Sequence, residues 1–160
     1  MKLTNTLTKQ KEEFVPREGQ QVKMFVCGPT VYDYIHIGNA RSFVFFDVAA
    51  KYLRQRGYAV EYLQNITDLD DKIIVRAQEL HKDPLLFAQE YTEIFWEDML
   101  ALGVTAVDRY AKATDHIKEV VAQVQKLIDT KHAYLIEGDP SDSSGQAGWY
   151  FDLTTFLDYG

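Results

Sequence analysis

A mostly apolar run, Val22-Lys23-Met24-Phe25-Val26-Cys27, stops at Gly28-Pro29 and predicts a buried strand. Gly28–Gly38, punctuated by Gly, Pro and Thr, reads as a loop. Residues 40–56 then change to helical spacing. Phe45, Ala49 and Leu53 share one face and Phe46 and Ala50 extend it, which predicts a largely buried helix. Arg54 and Arg56 complement its negative end, and Gly57 supplies a stop. Ala59–Ile66 is a second strand. Strand, loop, helix and strand in this order make a βαβ unit, with parallel strands and a right-handed crossover. Ligands of such sheets gather at the carboxyl ends of the strands. The segments Gly28–Asn39 and Asn65–Asp71 both fall there.

Three further helices follow. Asp68 is placed to cap one running to about Leu80. Asp83, with Pro84 at the first helical position, opens another. Phe87, Tyr91, Phe95, Met99 and Leu102 keep helical spacing along it until Gly103. Thr114 is placed to cap the last, with Ile117, Val120, Val121, Val124, Leu127 and Ile128 as its apolar stripe. All these stripes are expected in the core. Gly138–Gly148 reads as a flexible surface loop, flanked by Tyr134–Ile136 and Trp149–Asp152, which could pair as a hairpin.

Composition narrows the class. At 160 residues the chain can bury roughly 70% of its unfolded surface without staples. Its single cysteine excludes an internal disulfide framework and any CxxC metal or cluster site made by this chain alone. No apolar run approaches the ~20 residues that span a bilayer. The first residues lack the apolar core of a signal peptide. No membrane partner and a cytoplasmic setting are therefore expected. The net charge of −7 conceals an asymmetry. Residues 1–60 hold nine basic and five acidic side chains, net +4; the remainder hold eight and nineteen, net −11. The acidic total argues against a coat for nucleic acid, but leaves room for a nucleotide or a folded RNA at a basic N-terminal face.

Three segments could carry chemistry. His36-Ile37-Gly38-Asn39 lies in the turn between a strand and a helix. Gly38 permits close approach, helix N–H groups attract an anion, His36 and Asn39 can donate, and Arg41 adds charge. Such a string suits a triphosphate, and equally occurs as an ordinary turn. Cys27 is either a small buried hydrophobe or, at a strand's carboxyl end, a ligand or nucleophile. None of the four histidines stands at a recognised ligand spacing from it. In Asn65–Lys72, Asp68, Asp70 and Asp71 could bind a hard cation, but the preferred reading makes them helix caps. Thr67 faces the same crevice as Gly28 if the two strands are neighbours.

These strings, in this order, resemble one family. Asn5–Phe14 resembles the opening of cysteinyl-tRNA synthetases. Met24–Asp33 resembles the segment with their first zinc ligand, and His36–Arg41 the class I HIGH signature. Asn65–Ile73, Ala133-Tyr134 and Tyr150-Phe151-Asp152 resemble later landmarks, so the likeness spans the chain. It implies an α/β, class I synthetase Rossmann-like nucleotide-binding fold. Residues 1–115 would be the first part of the catalytic domain, and 116–160 the start of a connective insertion.

The implied activity is that of a cysteine–tRNA ligase, with L-cysteine, ATP and tRNA(Cys) as partners. Cysteine is activated to cysteinyl-adenylate and then passed to tRNA. On this mapping Cys27 is a zinc ligand, and Gly28 and Thr67 border the amino-acid pocket. Thr30, His36, Gly38, Asn39 and Arg41 lie around ATP, which carries Mg2+; His36 and Asn39 serve catalysis. Zinc would solve the hardest problem, since shape alone separates near-isosteres such as serine and cysteine by only ~10–200-fold. A borderline-soft metal prefers a thiolate to a hydroxyl.

Asn39 departs from the signature, which usually has a second histidine there; the amide still donates but holds no charge. The implied further zinc ligands (a Cys, a His and a carboxylate), the KMSKS loop and the anticodon-reading region are not among these residues. The chain is thus expected to be an N-terminal portion, inactive alone, of limited autonomous stability and part of a monomer. The competing readings are a zinc-dependent cysteine ligase of thiol-cofactor biosynthesis and a truncated non-catalytic paralogue.

Overall fold

The computed structural model describes residues 1–137 and 148–156. The chain divides into two compact units, Met1–Asp115 and His116–Gly160.

The first unit is built on three parallel strands in the order β3-β4-β5, where β3 is Gln21–Val26, β4 Ala59–Ile66 and β5 Arg109–Lys112. Before them, β1 (Lys2–Asn5) and β2 (Gln10–Glu13) form an antiparallel hairpin. Helix α1 (Ile37–Gln55) crosses from β3 to β4. Helices α2 (Asp71–Glu79) and α3 (Pro84–Ala101) lie between β4 and β5. One core joins Phe43 of α1, Ile66 of β4, Ile73 and Ala77 of α2, and Phe87, Phe95 and Met99 of α3. A second joins Val26, Ala50, Tyr62 and Ala106. The βαβ unit and its parallel register thus stand as the hydrophobic pattern predicts.

Helix α1 differs from its expected form in two ways. It begins at Ile37 rather than residue 40, because the His36 side chain caps it: Nδ1 accepts from the Gly38 N–H at 3.1 Å. Its buried stripe is Ala40, Phe43, Asp47, Ala50 and Leu53. Phe45 lies two residues from both Phe43 and Asp47, on the far side of the helix, and is 65% exposed. The expectation failed because Phe43–Phe46 is apolar all round, and because the true stripe contains a carboxylate.

That carboxylate is 3% exposed and fully engaged. Asp47 accepts from the Thr105 and Ala106 N–H groups, both at 2.7 Å, and pairs with Lys51 at 2.6 Å. Burial alone would raise its pKa; Lys51 and the two amides outweigh it and hold the carboxyl below its ordinary range. Asp47 thereby ties α1 to the segment that leads into β5.

The caps also correct the reading. Asp70, not Asp68, caps α2, accepting from the Lys72 N–H at 2.9 Å. Asp68 is instead buried and takes both the N–H (2.9 Å) and the hydroxyl (2.5 Å) of Thr114. Thr114 is therefore not the cap of the last helix. It lies in a 3-10 turn, Ala113–His116, and α4 (Ile117–Asp129) starts after it. Asp83 does cap α3, as read.

The second unit contains α4 and an antiparallel pair, β6 (Ala133–Ile136) and β7 (Gly148–Phe151). No residue of α4 is buried, and Val120 and Val121 are exposed, so its stripe is not core among the described residues. The expected Gly138–Gly148 loop falls, apart from Gly148, outside the described residues. No helix among the described residues is long and apolar enough to cross a membrane.

Candidate functional site

β3 and β4 end side by side, with Val26 paired to Gln64. Their partnership continues past the sheet. Thr30 and Thr67 form a single parallel bridge, in which Val31 N–H donates to the Thr67 carbonyl at 3.2 Å and Thr67 N–H to the Pro29 carbonyl at 3.0 Å. Gly28 N–H donates to Asn65 Oδ1 at 2.9 Å, and Asn65 Nδ2 donates to Thr67 Oγ1 at 3.2 Å. The chains approach so closely that a Cβ on Gly28 would stand 1.7 Å from the Asn65 carbonyl oxygen. Gly28 is thus required by the fold of the site.

A cleft of about 620 Å³ opens beside these strand ends. Four residues singled out from the sequence line it: Cys27, Gly28, Thr30 and Asn39. The Cys27 thiol is free and exposed. Thr67 does not line the cleft wall; its hydroxyl is held by Asn65. His36 caps α1, and because its Nδ1 accepts a hydrogen bond, its proton sits on Nε2, which is left as a donor. Gly38 and Arg41 line a separate apolar groove of about 480 Å³ with Ile37, Val44 and Leu102.

Sequence reasoning missed four residues here. Tyr32, Ser42 and Lys72 line the cleft, and Asn65 braces its floor. Ser42 was legible, standing three residues after Asn39 on the same helix face. Lys72 and Tyr32 come from separate segments, and only the tertiary fold brings them together, with Lys72 Nζ 5.7 Å from the Tyr32 ring centre. The acidic trio nearby is spent on structure through Asp68 and Asp70. Among the described residues no group of three His, Cys, Asp or Glu side chains is placed to hold a metal. Cys27 is one thiolate donor, and a tetrahedral zinc site takes four, so these residues do not form one by themselves.

The cleft therefore offers an anion the Asn39 side-chain amide, the Ser42 hydroxyl and the Lys72 ammonium, with a soft sulfur beside them. A parallel α/β sheet with such donors at its strand ends defines a nucleotide-binding class of domain. Residues 13–160 match the family model described as tRNA synthetases class I (C) catalytic domain, and the chain belongs to that family. Over its whole length it is 46% identical to a cysteine–tRNA ligase of Desulforamulus reducens and 47% identical to those of Pyrococcus furiosus and Coxiella burnetii. It covers 31%, 32% and 33% of those proteins, and so spans about a third of the relatives' length.

Two solved structures share the fold. One is the ternary complex of Agrobacterium radiobacter K84 agnB2 LeuRS with tRNA and LeuAMS (TM-score 0.71, 16% identity, 88% of this chain and 22% of that one). The other is Mycobacterium tuberculosis methionyl-tRNA synthetase with methionyl-adenylate (TM-score 0.66, 18% identity, 84% and 33%). The class I synthetase fold expected from the sequence is thereby established.

Proposed function

We propose that this chain forms the ATP- and cysteine-holding part of a cysteine–tRNA ligase, monomeric and cytoplasmic. The ligase activates L-cysteine with ATP and passes it to tRNA(Cys). The observation that carries the reading is an exposed thiol, Cys27, on the same cleft as Thr30 and Asn39 at the ends of parallel strands. Identity of 46–47% to cysteine–tRNA ligases over the whole chain supports it. In this reading residues 1–115 are the first part of the catalytic domain and 116–160 begin the connective insertion.

In the first step a carboxylate oxygen of cysteine attacks the α-phosphorus of ATP, and pyrophosphate leaves. Such a step is accelerated by positioning and by groups that meet developing charge. His36 Nε2–H and the Asn39 side-chain amide are the donors proposed to hold the phosphates, which carry Mg2+. Thr30 and Gly38 shape the approach, and Arg41, on the flank of α1, adds long-range attraction. Gly28 and Thr67 border the amino-acid pocket through the Gly28–Asn65–Thr67 hydrogen bonds. Cys27 is proposed as one ligand of a zinc ion whose other ligands come from elsewhere. A zinc ion bound there would favour a thiolate over the hydroxyl of serine.

The test is ATP–pyrophosphate exchange by the native gene product. Exchange should depend on cysteine, be negligible with serine, and fall at least ~100-fold in Cys27→Ser together with loss of zinc. Exchange that ignores the amino acid, or full activity in Cys27→Ser, would overturn the reading.

A further inference from the structure

We propose that Lys72 is the cation that holds the phosphate chain of ATP in this cleft, steadied over the ring of Tyr32. The proposal rests on the nucleotide reading of the cleft and deepens it. Lys72 is the second residue of α2, far in sequence from the phosphate-binding segment at the start of α1. The fold nevertheless brings it to the cleft that Thr30, Asn39 and Ser42 line. Among the described residues that line this cleft it is the one with a full charge.

Its surroundings leave that charge available. Lys51 and Lys82 each pair with a carboxylate, at 2.6 Å to Asp47 and 2.6 Å to Glu90. Lys72 makes no ion pair among the described residues, although three acidic residues precede it closely. Asp70 is occupied by the Lys72 backbone N–H, and Asp68 by Thr114. Asp71 and Glu79 line the outer groove of α2 together with Lys72 and Tyr32, but Glu79 pairs with Arg76 at 2.8 Å and neither carboxylate forms an ion pair with Lys72 among the described residues. What the ammonium does face is the Tyr32 ring, 5.7 Å from its centre. A cation over an aromatic face is steadied without using its N–H donors. All three remain for an anion, and a flexible ammonium suits phosphate as a point charge. When pyrophosphate leaves, charge grows on the β- and γ-phosphates, so a fixed cation here helps both binding and the leaving group.

The test uses ATP–pyrophosphate exchange by the native gene product, with KM measured separately for ATP and cysteine. Lys72→Met should raise KM for ATP about tenfold and leave KM for cysteine unchanged. It should also weaken competitive inhibition by inorganic tripolyphosphate to a similar degree. Lys72→Arg should stay within about threefold of the wild type. Lys72 is exposed, so both variants should melt with the wild type, which a structural role would not allow. An unchanged KM for ATP in Lys72→Met overturns the proposal. So does a rise in KM for cysteine alone, which would assign the charge to the amino-acid carboxylate. If the wild type shows no exchange at all, the nucleotide reading itself fails, and the proposal with it.

Discussion

Gly28 has no room for a side chain. The nearest backbone oxygen, that of Asn65, would lie 1.7 Å from a new Cβ, and backbone does not step aside as a long side chain can. Gly28→Ala is therefore expected to break the Gly28–Asn65 hydrogen bond and cost about 3 kcal/mol of stability by overpacking. Urea unfolding measures it, and a loss below about 1 kcal/mol would contradict the close approach. The sequence made Gly28 visible as a loop residue at a strand end, but not the reason for it. Asn65 reveals that reason only once β3 and β4 are neighbours. His36 shows the same limit. The donor role proposed for it rests on residue type, whereas the capping bond that fixes its proton on Nε2 depends on backbone geometry.

At the scale of elements, β4 packed under α1 contains an unusual phenol. Tyr62 is fully buried, and its hydroxyl has no hydrogen-bond partner among the described residues. Burial, with Tyr110 and Asp47 adding to it, pushes its pKa up from 10.0 to about 12. The unfolded chain ionises at the ordinary value, so Tyr62 contributes its full stability below pH 10. That contribution is lost as pH rises from 10 through about 12. The melting temperature of the wild type should fall over this window, and fall less in Tyr62→Phe. At neutral pH the variant should be nearly neutral, because no hydrogen bond is lost. An identical alkaline decline in both proteins would contradict this placement.

The elements themselves were unevenly legible. Asp83-Pro84 and Gly103 bound α3 correctly because capping chemistry is local. α2 lost its expected cap because Asp68 found Thr114, 46 residues away, a partner no local rule reveals. β5 escaped notice because Arg-Tyr-Ala-Lys carries no hydrophobic run; its pairing with β4 makes it a strand.

Across the whole molecule, the order of motifs carried more than any one of them. The βαβ pattern gave a parallel sheet and the end of it where ligands gather, and the cleft opens there. The expected residues divide between two places, however. Cys27, Gly28, Thr30 and Asn39 share the cleft, while Gly38 and Arg41 lie on the flanking groove. Helical spacing separates them: Asn39 and Ser42, one turn apart on α1, face the cleft, while Gly38 and Arg41, also one turn apart, face the groove. One face of the sheet carries the helices, and Phe25 on the other is 59% exposed, unlike a strand of a parallel sheet covered on both faces.

In the proposed function, the cleft activates cysteine and rejects serine for delivery to tRNA. Charging of tRNA by the native gene product, with labelled cysteine or serine, tests it most directly. Cysteine should be esterified to tRNA(Cys), with no detectable serine ester at equal concentration. Serine charged as readily as cysteine, or no charging with either, would contradict it.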